Sequence, residues 1–170
     1  MRWGYNSKEK DLKFIELSAF LVGGSMNLYT SYWAQVRNFP QDLVGLNTTI
    51  WPPKWRPLGE DKRGVIVVDC PPLKPGQECE GLCYGKGCTK RPNYCDFLLT
   101  YERQLSQIDF QDFLKHLEKL KAEICKDKGL EDVDFAFIFF ETPQNPCSER
   151  SAVSDWVSRN GVAISEWKIN

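Results

Sequence analysis

Five side chains around residue 145 carry the densest chemistry in the sequence: Glu141, Cys147, Ser148, Glu149 and Arg150. They follow the apolar segment Val133 to Phe140 (VDFAFIFF) and precede a stretch whose Ala152, Val153, Trp156 and Val157 share one helical face. They therefore sit where a strand hands over to a helix. At such a junction the first-turn N–H groups are free and the helix dipole favours an anion. Arg150, expected as an exposed first-turn residue, adds a guanidinium fork suited to phosphate or carboxylate. Glu141 at the strand tip suits an acid, a base or a ribose-hydroxyl acceptor, and Cys147 near the helix N-terminus has its thiolate favoured. The same residues also allow a structural arrangement, with Arg150 paired to Glu141 or Glu149, Ser148 as a plain N-cap and Cys147 as an inert thiol.

Metal chemistry is suggested by a second cluster. Of 7 cysteines, four fall in one window, Cys79, Cys83, Cys88 and Cys95, spaced C-x3-C-x4-C-x6-C and interrupted by Gly81, Gly85 and Gly87. Glycines let the backbone bend so that thiolates converge, and four thiolates complete a tetrahedral zinc shell or the corners of an iron–sulfur cluster. Zinc is the first choice, an iron–sulfur cluster the second, and reduced thiols without metal the remaining alternative. The odd cysteine count argues against a disulfide framework and for a reducing, cytoplasmic setting. A metal here would be structural, because the loop looks too polar to order itself. Cys70 lies just upstream and could replace a member of the set.

The segment Trp51-Pro52-Pro53-Lys54-Trp55-Arg56, with Lys62, Arg63, Lys86, Lys90 and Arg91 beyond it, interleaves rings and cations. Surfaces that stack bases and neutralise phosphates are built this way, although the tryptophans could equally close a sheet edge. Tyr29 and Ser31 lie on an early strand and could offer hydroxyls to the Glu141 pocket if that strand runs parallel to the late one. The single histidine, His116, falls on the polar side of a helix and reads as a surface residue.

These groups need a scaffold, and 170 residues with 42% hydrophobic content support one domain, 1–170, with the cysteine-rich loop 70–96 inserted in it. Val133 to Phe140 is apolar on both faces, as a central strand covered by helices on both sides should be. Before it, Phe110, Phe113, Leu114, Leu117, Leu120 and Ile124 recur at helical spacing between an Asp109 N-cap and Gly129, about four turns. Met26 to Trp33, Leu43 to Trp51, Val65 to Cys70 and Val162 to Trp167 read as further strands, and LKFIELSAFLVGG in the first 25 residues fits strand or helix equally. Helix–strand–helix–strand order predicts a single Rossmann-like α/β domain, a mainly parallel sheet flanked by helices. A net charge of −1 excludes a global positive field, the longest apolar run is far too short to cross a bilayer, and the first residues are not signal-like.

Three stretches taken together, LYTSYWAQVRNFP at 28–40, IWPPKW at 50–55 and FFETPQNPCSERSAVSDWVSRNGVAISEW at 139–167, resemble the uncharacterised prokaryotic family known as domain of unknown function 488. The resemblance covers about two-thirds of the chain and rests on the order of the motifs. It implies the layered α/β fold and a pocket beyond the late strand. Two departures stand out: Cys147-Ser148-Glu149-Arg150 where that family often has Cys-His-Arg, and the added cysteine-rich stretch.

The resulting expectation is a pocket at the carboxyl ends of the strands that binds a phosphate-bearing ligand, a nucleotide or single-stranded nucleic acid, and could process it. Ser148, Glu149, Arg150, Tyr29, Ser31, Trp51 and Trp55 would hold the ligand. Glu141, then Cys147, would do acid–base work. The alternative is a metal-stabilised protein-interaction module without catalysis.

Overall fold

The computed structural model describes residues 25–82 and 95–169. Six strands form one sheet: β1 (Leu28–Tyr32), β2 (Leu43–Asn47), β3 (Gly59–Glu60), β4 (Ile66–Asp69), β5 (Asp134–Phe139) and β6 (Ile164–Glu166). Their order is β3-β4-β2-β5-β1-β6, and every neighbouring pair is parallel except β3 with β4. Three helices accompany them: α1 (Asp96–Ser106), α2 (Phe110–Lys128) and α3 (Glu149–Arg159). The chain is thus mixed α/β with a mostly parallel sheet, as its pattern of apolar runs predicts.

β5 is central because no side chain in it after Asp134 seeks water. Phe135 to Phe139 are essentially unexposed, and the strand pairs along its length with β1 on one side and β2 on the other. Alternation splits its side chains between two cores. Phe135, Phe137 and Phe139 enter the larger one with the buried residues of all three helices, whereas Ala136 and Ile138 join a smaller one with Trp33, Val36 and Phe39. Among the described residues, then, α-helices cover only one face. The other is closed by the 3-10 turn Trp33–Asn38, with Trp167 packed edge-on to Phe39 at 5.0 Å between ring centroids. LKFIELSAFLVGG lies outside the described residues.

α2 spans 19 residues between the expected stops, Asp109 and Gly129, which makes about five turns rather than the four expected. Asp109 accepts the Asp112 N–H at 3.0 Å, and Gly129 takes the left-handed conformation, φ 66°, that ends the helix. α1 has no counterpart in the expected elements. Phe97, Leu98, Tyr101 and Leu105 form its buried face, and Tyr101 donates to the Leu73 carbonyl at 2.6 Å. That bond ties α1 to residues 70–82, which pack Cys70, Leu73 and Cys79 into the larger core. The described part of the cysteine-rich loop is therefore ordered by apolar burial, contrary to its polar appearance in sequence.

Candidate functional site

In this topology β2 and β5 are neighbours, but the chain leaving β2 goes toward β4 and the chain leaving β5 goes across β1 toward β6. Loops that part in opposite directions leave a crevice between them at the carboxyl ends of the strands. A cavity of about 200 Å³ occupies that place. Thr49, Ile50 and Trp51 line it from the loop after β2, and Phe140 and Glu141 from the loop after β5. Glu149 enters from the first turn of α3, Phe97 from α1, and Pro75, Gly76, Cys79 and Glu80 from the segment before α1.

The β2 side is held by one residue that the sequence analysis did not single out. Asn47, fully buried, accepts the Thr49 N–H at 3.0 Å and the Thr49 hydroxyl at 2.6 Å through its carbonyl oxygen. Its amide donates to the Thr49 carbonyl at 3.1 Å and to Asp69 at 2.8 Å. Trp33 Nε1 donates to the Thr49 hydroxyl from the other face, and the Thr48 hydroxyl donates to the Ile138 carbonyl at 2.7 Å. An asparagine with all four hydrogen-bonding positions filled shapes the turn that aims Ile50 and Trp51 at the cavity. Asn47→Ala is expected to cost about 1–3 kcal/mol by orphaning the Thr49 groups, and to alter the emission of Trp51. Urea titration followed by tryptophan fluorescence checks both. The available signal in sequence is Asn-Thr-Thr directly after the apolar LVGL.

On the β5 side, Ser148 caps α3 by accepting the Arg150 N–H at 3.2 Å and donates to Glu141 at 3.4 Å. This places Glu141 and Glu149 side by side on the cavity. Burial pushes the Glu149 carboxyl up to about 7, and the negative charge of Glu141 adds to the rise. Its own N–H works against this and does not prevail. Cys79 is also raised, chiefly by burial and further by Glu149 and Glu78.

Arg150 is not the exposed fork expected. It is 8% exposed, and its Nη1 pairs with Glu166 on β6 while Nη2 donates to the Glu141 carbonyl at 2.6 Å. Glu166 also accepts the Thr30 hydroxyl at 2.5 Å, and the guanidinium lies 5.2 Å from the Phe139 ring centroid. The reason is topological: β6 brings a carboxylate beside the start of α3, and the carbonyl that ends β5 needs a donor. Arg150 is therefore in an ion pair, but with Glu166, 16 residues away, and not with the Glu141 or Glu149 carboxylates foreseen from sequence.

The remaining site residues are dispersed. Cys147 lies in the turn before α3, where its N–H is held by Asn145 at 2.9 Å, and does not line the cavity. Tyr29 and Ser31 alternate away from Thr30, and Tyr29 packs against the smaller core, so neither lines the cavity. Trp51 is 79% exposed on the rim; Trp55, 63% exposed, sits edge-on to Trp33 at 6.5 Å. Two cations of the supposed nucleic-acid surface are already engaged. Arg56 is buried and donates to the carbonyls of Pro57, Gly59 and Val65, and Arg63 pairs with Asp61 and binds the Arg37 and Val36 carbonyls. Cys79 and Cys95 are buried in the larger core, while Cys83 and Cys88 lie outside the described residues. Among the described residues no group of three or more His, Cys, Asp or Glu could hold a metal ion. Nor is any described helix long and apolar enough to cross a membrane.

Comparison with protein-family models, curated proteins and solved structures finds no match to the chain.

Proposed function

We propose that the cavity between the loops following β2 and β5 is a small-molecule site in which Glu149 exchanges a proton with the bound ligand, with Glu141 as the second carboxyl group. One observation carries the reading: a carboxyl group of pKa about 7 opens on a cavity beside another carboxyl. General acid–base catalysis is most effective when the group titrates near the working pH, and burial against a like charge is the usual way to bring a glutamate there. The role assigned to Glu141 from sequence passes to Glu149. Cys147 has no position from which to share it.

The phosphate-bearing ligand expected from sequence was to be held by a free Arg150 together with the N-terminus of α3. With that fork turned to Glu166, and with Glu80, Glu141 and Glu149 but no lysine or arginine on the lining among the described residues, an uncharged or cationic ligand is favoured over an anion. The test is a thermal-shift panel of anionic, uncharged and cationic metabolites on wild type and Glu149→Gln. A ligand at a hundred times its dissociation constant should add about 2.7 kcal/mol of stability. Any turnover of that ligand should vanish in the variant, which keeps the shape and loses the proton. A panel in which only anions shift the midpoint, or in which Glu149→Gln turns over ligand as wild type does, rejects the reading.

A metal in the cysteine window is a second, independent proposal, favoured by Cys79 and Cys95 lying in one core at either end of residues 83–94. About one equivalent of zinc, or of iron with sulfide, is expected by elemental analysis, with a lower melting temperature after chelation. Metal-free protein that melts unchanged removes the proposal.

A further inference from the structure

We infer that this cavity recognises an organic cation, an alkylated ammonium or guanidinium head held among Glu80, Glu141 and Glu149 with its carbon body against Trp51, Phe97 and Phe140. The inference rests on the cavity being a ligand site, as proposed above, and adds the ligand's charge and shape.

Two features of different kind support it. The first is charge. Elsewhere three of the fold's partly buried carboxylates are matched with cations, Asp61 with Arg63 and Arg56, Asp69 with Lys74, and Glu166 with Arg150, while Asp134 is held by the neutral Asn27. On the cavity Glu141 and Glu149 are half-buried and Glu80 stands exposed at its edge, and none of the three carboxyl groups is in an ion pair among the described residues; the Glu141 carboxylate accepts the Ser148 hydroxyl. Like charges gathered in a partly desolvated space repel, and a bound cation relieves that repulsion. The second is aromatic surface. Phe97 forms a buried wall that belongs to the larger core, whereas Phe140 is 52% exposed and Trp51 stands 79% exposed at the mouth, although burial would have gained those two rings apolar contact. Rings beside carboxylates are what a poorly hydrated organic cation needs, since the ring faces attract the charge and the carbon body loses water. A phosphate gains from neither feature. A strongly hydrated metal ion gains nothing from the rings.

A proton is coupled to this binding. Glu149 interacts electrostatically with Glu141 on the β5 loop, with Cys79 in the segment before α1 and with the Tyr101 hydroxyl of α1, and Glu80 lines the same cavity. The nearby cations are Arg103 on α1, which acts on Cys79, and Arg150, whose guanidinium is taken up by Glu166 and the Glu141 carbonyl. A cation therefore favours the ionised form of Glu149, and its affinity should rise with pH until that group is ionised without help, near pH 7.

The test uses choline, tetramethylammonium and agmatine against the uncharged isostere of choline in which a tert-butyl group replaces the trimethylammonium. Binding is followed by tryptophan emission and by ligand-detected NMR. At least one cation is expected to bind about tenfold more tightly than the isostere, with affinity rising by about tenfold from pH 6 to pH 8. Glu149→Gln should flatten that pH dependence, and Trp51→Ala should weaken the cations while leaving the melting temperature unchanged, because Trp51 is so exposed. If none of the three cations exceeds the isostere, the inference is overturned. Should uncharged members of the metabolite panel still bind and depend on Glu149, only the charge assignment falls; should nothing bind, the cavity's role falls with it.

Discussion

Replacing Arg150 by alanine is expected to destabilise the protein by about 3–5 kcal/mol, a loss normally seen only on opening a core or breaking a buried ion pair. The guanidinium is a junction for four elements. It neutralises Glu166 on β6, which in turn holds Thr30 on β1; it caps the Glu141 carbonyl at the end of β5; and it grows from the first turn of α3. Alanine would leave Glu166 partly buried with only a hydroxyl partner and the Glu141 carbonyl without its donor. The pair itself need not be strongly favourable, because desolvation offsets much of its attraction. Its removal on one side is what costs. Arg150→Met combined with Glu166→Leu should therefore be far less damaging than Arg150→Ala alone, and equilibrium denaturation of wild type and the two variants tests this. A loss below about 1 kcal/mol for Arg150→Ala would return the residue to the exposed, ligand-facing role that its position in sequence suggests.

Glu149→Gln is expected to stabilise the protein above pH 7, by up to about 3 kcal/mol, while removing the proposed activity. The sign follows from proton counting. In the folded protein Glu149 keeps its proton to about pH 7, whereas in the unfolded chain it releases it near 4.5, so between those values the folded state binds more protons. Stability from this group is complete below pH 4.5, falls as pH rises through the window and stays lower above it. Glutamine cannot ionise, so the variant should show no such decline. Urea denaturation at about pH 5 and about pH 8 should find the two proteins alike at the lower value and the variant ahead at the higher. Parallel pH slopes would show that Glu149 is hydrated in solution and would remove the basis for its acid–base role. A residue that lowers stability at neutral pH and lies on a cavity has the usual character of a working group.

The sheet was legible because apolar patterning is a local signal. Strand β5 is hydrophobic on both faces and can only be central; α2 carries its stripe between a capping aspartate and a glycine; β1, β2, β4 and β6 each lie within an expected strand. α1 was hidden because its sequence, DFLLTYERQLS, follows the cysteine window, whose metal-ligand spacing suggested a loop as far as residue 96. The location of the pocket could also be anticipated, since a strand running into a helix N-terminus marks the carboxyl edge of a parallel sheet.

What sequence alone determined is thus where most of the strands and helices lie, and at which edge of the sheet a cavity opens, since both follow from residues a few positions apart. Tertiary structure decided which of the gathered side chains face the cavity. Arg150 and Glu149 are adjacent in the chain, yet one turns inward to Glu166 and the other opens on the cavity beside Glu141. That division depends on β6 and α1 arriving from elsewhere in the chain, and no spacing within the motif encodes it. The same holds for Asn47, whose role exists only because Asp69 on β4 and the Thr49 loop meet across the end of β2. It holds for the charge of the cavity as well. Glu80, Glu141 and Glu149 are scattered over 70 positions in sequence and share a cavity only because the chain ends leaving β2 and β5 part in opposite directions.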